Sequence, residues 1–220
     1  MVDYTEPLPA VNTRRLRVAQ GLVLLFHITG FVGLAFADDP SFYLRFTPLT
    51  LLLTAGLLFS FQPGRGAAFW SFCIVAALLG FTAEVIGVHL SWFFGHYRYG
   101  DTLGYKVFDV PLAIGLNWLV LTYSCGILAR YIPLPELPRT ILAALLMLGL
   151  DMCMEPVAST YDFWHWTANV IPFQNFRDWF ILACILQMLF NRANFTKANP
   201  LVPLVYLTQL LFFFLLGALQ

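Results

Sequence analysis

Three acidic residues stand in stretches that are otherwise apolar: Glu84, Asp151 and Glu155. A charged side chain inside a membrane span costs about 2.5–3.5 kcal/mol on insertion scales, so such residues tend to mark function. Asp151 and Glu155 stand at i and i+4, about 40° apart around a helix, and therefore share a face. Two carboxyl groups on one face in a low-dielectric setting cannot both ionise readily, which offers a proton donor beside a proton acceptor. The competing reading is structural: the acids could pair with Arg98, Arg177 or His89 and tie helix ends together.

Two aromatic stretches accompany the acids, Ser91-Trp92-Phe93-Phe94-Gly95-His96-Tyr97-Arg98-Tyr99 and Tyr161-Asp162-Phe163-Trp164-His165-Trp166, together with Asp109-Val110-Pro111. Trp and Tyr gather at both faces of any membrane protein, and that accounts for part of this pattern. It does not account for rings that alternate with His, Arg and Asp on one side only. Carboxylates walled by aromatic faces suit a carbocation, whose charge π systems stabilise where water is scarce. His27, alone in the middle of an apolar run, reads as a packed or helix-bonded residue. His89, His96 and His165 could in principle hold zinc, as in a seven-span zinc-dependent amidohydrolase, but their spacing matches no metal motif and no metal is expected. The last apolar run has no Lys for a retinal Schiff base, and neither a Gly-rich phosphate loop nor a Gly-x-Ser-x-Gly elbow occurs.

The elements that must position these residues are helices in lipid. Of 220 residues, 60% are hydrophobic and 11% charged. The mean hydropathy is +0.75, which sets aside a water-soluble fold. Twelve basic and twelve acidic residues cancel, leaving no field to attract nucleic acid. Apolar runs bounded by charges, Pro and Gly predict seven transmembrane helices near 18–36, 43–62, 67–90, 108–130, 139–157, 175–192 and 200–219, an all-α polytopic bundle in one transmembrane domain over 1–220. Arg14, Arg15 and Arg17 before the first run resemble a signal peptide, but that run is long enough to span and six more follow. Arg14, Arg15, Arg17, Arg65, Arg130, Arg139, Arg192 and Lys197 fall on one side, against Arg45, Arg98, Lys106 and Arg177 on the other. That imbalance places the N-terminus in the cytoplasm, in a multi-pass protein of the cell membrane, a bacterial inner membrane being expected. All three acids then lie near the outer surface, as do the long loops after the third and fifth spans. Cys73, Cys125, Cys153 and Cys184 fall in separate apolar runs and read as small apolar residues.

A series of short motifs carries a resemblance: Glu84-Val85-Ile86-Gly87; Phe94-Gly95-His96-Tyr97-Arg98-Tyr99; Val110-Pro111 with Asn117-Trp118; Asp151-Met152-Cys153-Met154-Glu155-Pro156-Val157-Ala158; Trp164-His165-Trp166; and Ile171-Pro172-Phe173-Gln174-Asn175-Phe176-Arg177-Asp178-Trp179. In this order they resemble the CruF-type carotenoid 1,2-hydratases over residues 80–180. The resemblance implies a cofactor-independent hydro-lyase that adds water to the terminal C1–C2 double bond of an acyclic carotenoid such as lycopene or γ-carotene. Glu155 in place of Asp before the Pro, Asp162 in place of a small residue, and His89-Leu90-Ser91-Trp92-Phe93 depart from the family pattern.

Hydrating such an alkene needs an acid for C2, a cation-tolerant wall around C1 and a base for the incoming water. The expected acid is Asp151, with Glu84 or Glu155 orienting the water. Trp92, Trp164 and Trp166 are expected to line the cation, with His89, His96 and Trp118 also at the substrate. Arg98, Tyr99, Asp109 and Asn175 are expected to hold the carboxylates and loops. The apolar substrate is expected to enter from the bilayer. A membrane carotene cyclase would share the cation, but its Pro-x-Glu-Glu-like motif is absent, since Leu112-Ala113-Ile114 follow Pro111.

Overall fold

The computed structural model describes residues 12–220, so the arm before residue 12, expected on the cytoplasmic side, lies outside the described residues. The described residues are all-α apart from four short strands in the loops. The helices are α1 (Thr13–Phe36), α2 (Ser41–Leu44), α3 (Thr47–Ser60), α4 (Ala67–Leu90), α5 (Leu112–Leu128), α6 (Glu136–Ala158), α7 (Phe173–Arg192) and α8 (Val202–Ala218). Four of these stretches are long and apolar enough to cross a membrane: α1, α4, α5 with its 3-10 extension to Tyr131, and α6. Apolar α3 and α8 are shorter. Much of the outward surface of the bundle is apolar, with Leu25 and Ile28 on α1, Ile74 and Leu78 on α4, and Leu145 on α6 exposed. Such a surface suits lipid and would be costly in water.

The second run, expected as one helix over 43–62, breaks between α2 and α3. Pro48 supplies the reason. In a continuous helix its ring would clash with the carbonyl of Leu44, whereas in the first turn of α3 its missing N–H costs nothing. The fourth helix, expected from 108, begins at Leu112 because Val110–Pro111 is a strand.

Helix α5 is the axis of the bundle, packed against α3, α4, α6, α7 and α8. It is buried almost all round from Trp118 to Ile127. Helix α6 lies between α7 and α8, and α1 closes the far side against α8. His27 is helix-bonded as expected, with its ring Nδ1 2.8 Å from the Val23 carbonyl oxygen, in the interior. All four cysteines are free; Cys73 and Cys125 are buried, and Cys153 and Cys184 half-buried.

The strands all belong to loops at one end of the bundle. β1 (Tyr97–Tyr99) pairs antiparallel with β4 (Trp164–Trp166) in the register Tyr97 to Trp166, Arg98 to His165 and Tyr99 to Trp164. β2 (Lys106–Val107) and β3 (Val110–Pro111) form a tight hairpin. Asp162 fastens the two loops together: it accepts from the Asp101 N–H at 2.7 Å, with His165 Nε2 also 2.7 Å away. Gly100 permits this approach, since a Cβ there would run into Asp162.

Candidate active site

Period-two alternation in β1 and β4 builds the site. Successive strand residues point to opposite faces, so Tyr97, Tyr99, Trp164 and Trp166 share one face of the ribbon while Arg98 and His165 take the other. The aromatic face looks onto α4 and α6 and delivers four polar ring atoms to two carboxyl groups. On α4, Glu84 Oε2 accepts from the Tyr97 hydroxyl at 2.5 Å and the Tyr99 hydroxyl at 2.7 Å. Its Oε1 accepts from Trp118 Nε1–H on α5 at 2.9 Å. On α6, Glu155 Oε2 accepts from Trp166 Nε1–H at 2.8 Å and Trp164 Nε1–H at 3.2 Å. Its Oε1 accepts from the Asn175 amide on α7 at 2.8 Å. Each glutamate thus receives three hydrogen bonds in the interior, which is what makes a buried acid tolerable.

Gly80, one turn before Glu84, opens the face of α4. A Cβ at Gly80 would collide with Trp118, so the glycine lets that indole lie close enough to reach Glu84. Trp118 in turn stacks on Trp179 of α7, with ring centres 3.9 Å apart and planes tilted by 23°. The neighbouring loop is fixed by Asp178 on α7, which accepts from the Phe94 N–H at 3.0 Å and from Arg177 Nε at 2.8 Å.

Between these groups lies a small cavity that both glutamates line. Its wall is aromatic: Phe94, Tyr97, Tyr99, Trp118, Trp164, Trp166 and Trp179. Ile114, Asn117, Met154 and Trp164 also line a second, larger and more apolar cleft, bounded by α1, α3, α5, α6 and α8. The two spaces adjoin at those residues, so an apolar chain lying in the cleft could present one end to the carboxylates.

Of the residues expected from sequence, Glu84, Glu155, Tyr99, Trp118, Trp164, Trp166 and Asn175 meet at this cavity. Asp151 does not line it. Fully buried one turn from Glu155, Asp151 has Oδ2 3.4 Å from the Asn175 amide and no hydrogen-bond partner on Oδ1. Sharing a helix face with Glu155 did not bring it to the same surface. Five more expected substrate residues lie apart. Trp92 is 69% exposed. Arg98 points off the outer face of β1 by the strand alternation. His96 Nδ1 is 2.7 Å from the Ser91 hydroxyl.

Asp109 is a turn residue: with Phe108 it has positive φ in the two-residue β2–β3 turn, a conformation Asp tolerates. His89 Nε2 lies 3.1 Å from the Phe108 carbonyl oxygen and 3.6 Å from the Asp109 carboxylate. His89, His96 and His165 each have a separate local partner. Among the described residues no three His, Cys, Asp or Glu side chains converge. Tyr97, Asn117, Met154 and Trp179 were not singled out as site residues by sequence reasoning. The spacing Tyr-x-Tyr opposite Trp-x-Trp was the available signal for Tyr97, and Trp179 stands one helical turn after Asn175.

The family described as carotenoid biosynthesis protein matches residues 46–220, which include every residue of both cavities except those on α1 and Tyr43. The chain belongs to that family. A curated relative, bisanhydrobacterioruberin hydratase of Haloarcula japonica, is 24% identical over 179 residues, covering 77% of this chain and 60% of the relative. The chain therefore spans less than two thirds of that relative's length. No solved structure matches.

Proposed function

We propose that the chain is a carotenoid hydratase that adds water across the terminal C1–C2 double bond of an acyclic end group to give a tertiary alcohol. The observation that carries this reading is the pairing of two buried glutamates across one aromatic cavity that adjoins a larger apolar cleft. Adding water to an isolated trisubstituted alkene requires a proton for C2, a wall that tolerates positive charge at C1, and an acceptor for the proton lost by water. Glu84 and Glu155 face the reacting space, and the rings around them present π faces to a developing cation. Membership of a carotenoid biosynthesis family and the hydratase relative support the same chemistry.

In this reading Asp151 takes a different part from the one its sequence suggested. It lies behind Asn175, whose amide reaches both Asp151 and Glu155, so it influences Glu155 rather than meeting the alkene. Seven helices, α1 and α3 to α8, cross the membrane, with α2 as a turn at the interface. The excess of Lys and Arg at the end opposite the strands supports a cytoplasmic position for that end, with the carboxylates near the outer face of a cell membrane. Lycopene, γ-carotene or a similar acyclic carotenoid reaches the cleft from the bilayer, and water is the second substrate.

Pigment analysis of a lycopene-producing bacterium expressing the chain tests this reading. The expected result is a product heavier by one water, lost in Glu84→Gln. A cyclised product of unchanged mass would instead support a carotene cyclase. Lycopene left unchanged, with γ-carotene also unchanged in a second host, would overturn the carotenoid reading.

A further inference from the structure

The two glutamates are both well bonded, yet their partners differ in kind. Glu155 is surrounded by groups that only donate: two indole N–H groups and a side-chain amide N–H. A proton on Oε2 would face two N–H groups, and one on Oε1 would face the Asn175 amide. Such a shell fits a carboxylate and opposes an acid. Glu84 has one obligate donor, Trp118, on Oε1. On Oε2 it has two phenols, and a phenol oxygen, unlike an N–H group, can also accept once its hydroxyl rotates. Three oxygens held within 2.5 and 2.7 Å hydrogen bonds can therefore take up an extra proton without breaking the cluster.

From these shells we infer that Glu84 and Tyr97 form the acid of the reaction, with Tyr97 as the group that hands the proton to C2, and that Glu155 is the base. This rests on the hydratase reading and assigns roles within it. Tyr97 is chosen over Tyr99 because it makes the shorter bond to Glu84 and is the less buried of the two, while its ring still lines the cavity.

The π pair of C1–C2 takes the Tyr97 hydroxyl proton, forming a C–H bond at C2 and a cation at C1. The phenol oxygen regains a proton from Glu84 Oε2, leaving Glu84 as a carboxylate. A water oxygen then bonds to C1 and its surplus proton passes to Glu155. Return of that proton to Glu84 through water restores the site, for a net addition of one water.

The test is deuterium incorporation into carotenoid recovered from membranes incubated in heavy water, read beside alcohol formation. Wild type is expected to give alcohol with one deuteron bound to carbon. Glu155→Gln is expected to form at least 100-fold less alcohol yet still to exchange deuterium into the recovered carotenoid, because reversible protonation survives. Tyr97→Phe, which keeps the ring, is expected to lower both alcohol and deuterium about 100-fold. Tyr99→Phe is expected to lower both less than tenfold.

Loss of deuterium exchange in Glu155→Gln, with the variant still folded by thermal melting, would overturn the assignment. Retention of alcohol formation in Tyr97→Phe would overturn it as well. If wild type forms no alcohol and incorporates no deuterium, it is the hydratase reading that fails.

Discussion

Two polar networks are buried at opposite ends of this bundle, and they are built on different plans. At the end away from the strands, the Tyr123 hydroxyl donates to Gln62 Oε1 at 2.6 Å and accepts from the Asn199 amide at 2.9 Å. The Gln62 amide donates to the carbonyls of Pro63 and Thr196, and the Asn199 amide to that of Leu58, each at 2.7 Å. Every member is neutral, and none lines either cavity described above. At the strand end the acceptors are carboxyl groups, their donors are aromatic side chains and the Asn175 amide, and the network faces a cavity. Neutral polar groups that satisfy one another lock helices together. Acidic groups held open toward an enclosed space are arranged for chemistry.

The sharpest way to break this contrast is to remove the acid at one end and hydrogen bonding at the other. Glu84→Gln is expected to reduce alcohol formation at least 100-fold in the pigment assay while the melting temperature stays close to that of wild type. A variant that kept activity would place the strand-end network with the structural one. Next in size, Gly80→Ala is expected to push Trp118 away from Glu84, reducing activity about tenfold and costing about 1–3 kcal/mol in denaturation. Asn199→Leu should do the reverse. It strips donors from the Leu58 carbonyl and Tyr123, costing about 1–3 kcal/mol of stability, with activity per folded molecule unchanged.

A smaller effect sharpens the role of the loops. Burial pushes the Asp162 carboxyl up, but His165, the Asp101 N–H and Lys106 outweigh it and hold the group below its ordinary range. A carboxyl depressed in the folded state adds stability above its unfolded value, near pH 4, and loses it as pH falls through the folded value. Asp162→Asn is therefore expected to cost only about 0.5–1 kcal/mol at pH 7, since the group is half exposed, with the gap to wild type closing below about pH 4. Thermal melts of both proteins across that range check it.

How much of this was legible in the sequence follows from what each pattern encodes. Charges inside apolar runs identified Glu84, Asp151 and Glu155, because lipid makes such residues rare. Helical spacing gave Asp151 and Glu155 a common face, but a face does not say which residue borders a cavity. That depends on where Asn175 of α7 and the strand ribbon arrive, and it left Asp151 behind Glu155. Arg98 and Asp109 were expected at the site because they stand in the aromatic loop stretches beside the acids. The alternation in Tyr-Arg-Tyr already assigns Arg98 to the other face, while the turn at Asp109 depends on pairing between β2 and β3. The break before α3 was signalled by Pro48 and hidden by the hydrophobicity around it. The close approach at Gly80 needs the crossing of α4 and α5, which no local pattern carries.

The central claim is that water from solvent is added at this cavity. Its most direct test is to incubate membranes containing the chain with lycopene in water enriched in heavy oxygen, then measure the product by mass spectrometry. The account predicts one heavy oxygen atom in each new hydroxyl and none in membranes carrying Glu84→Gln. A hydroxyl without the label, or a product whose mass equals that of the substrate, would contradict it.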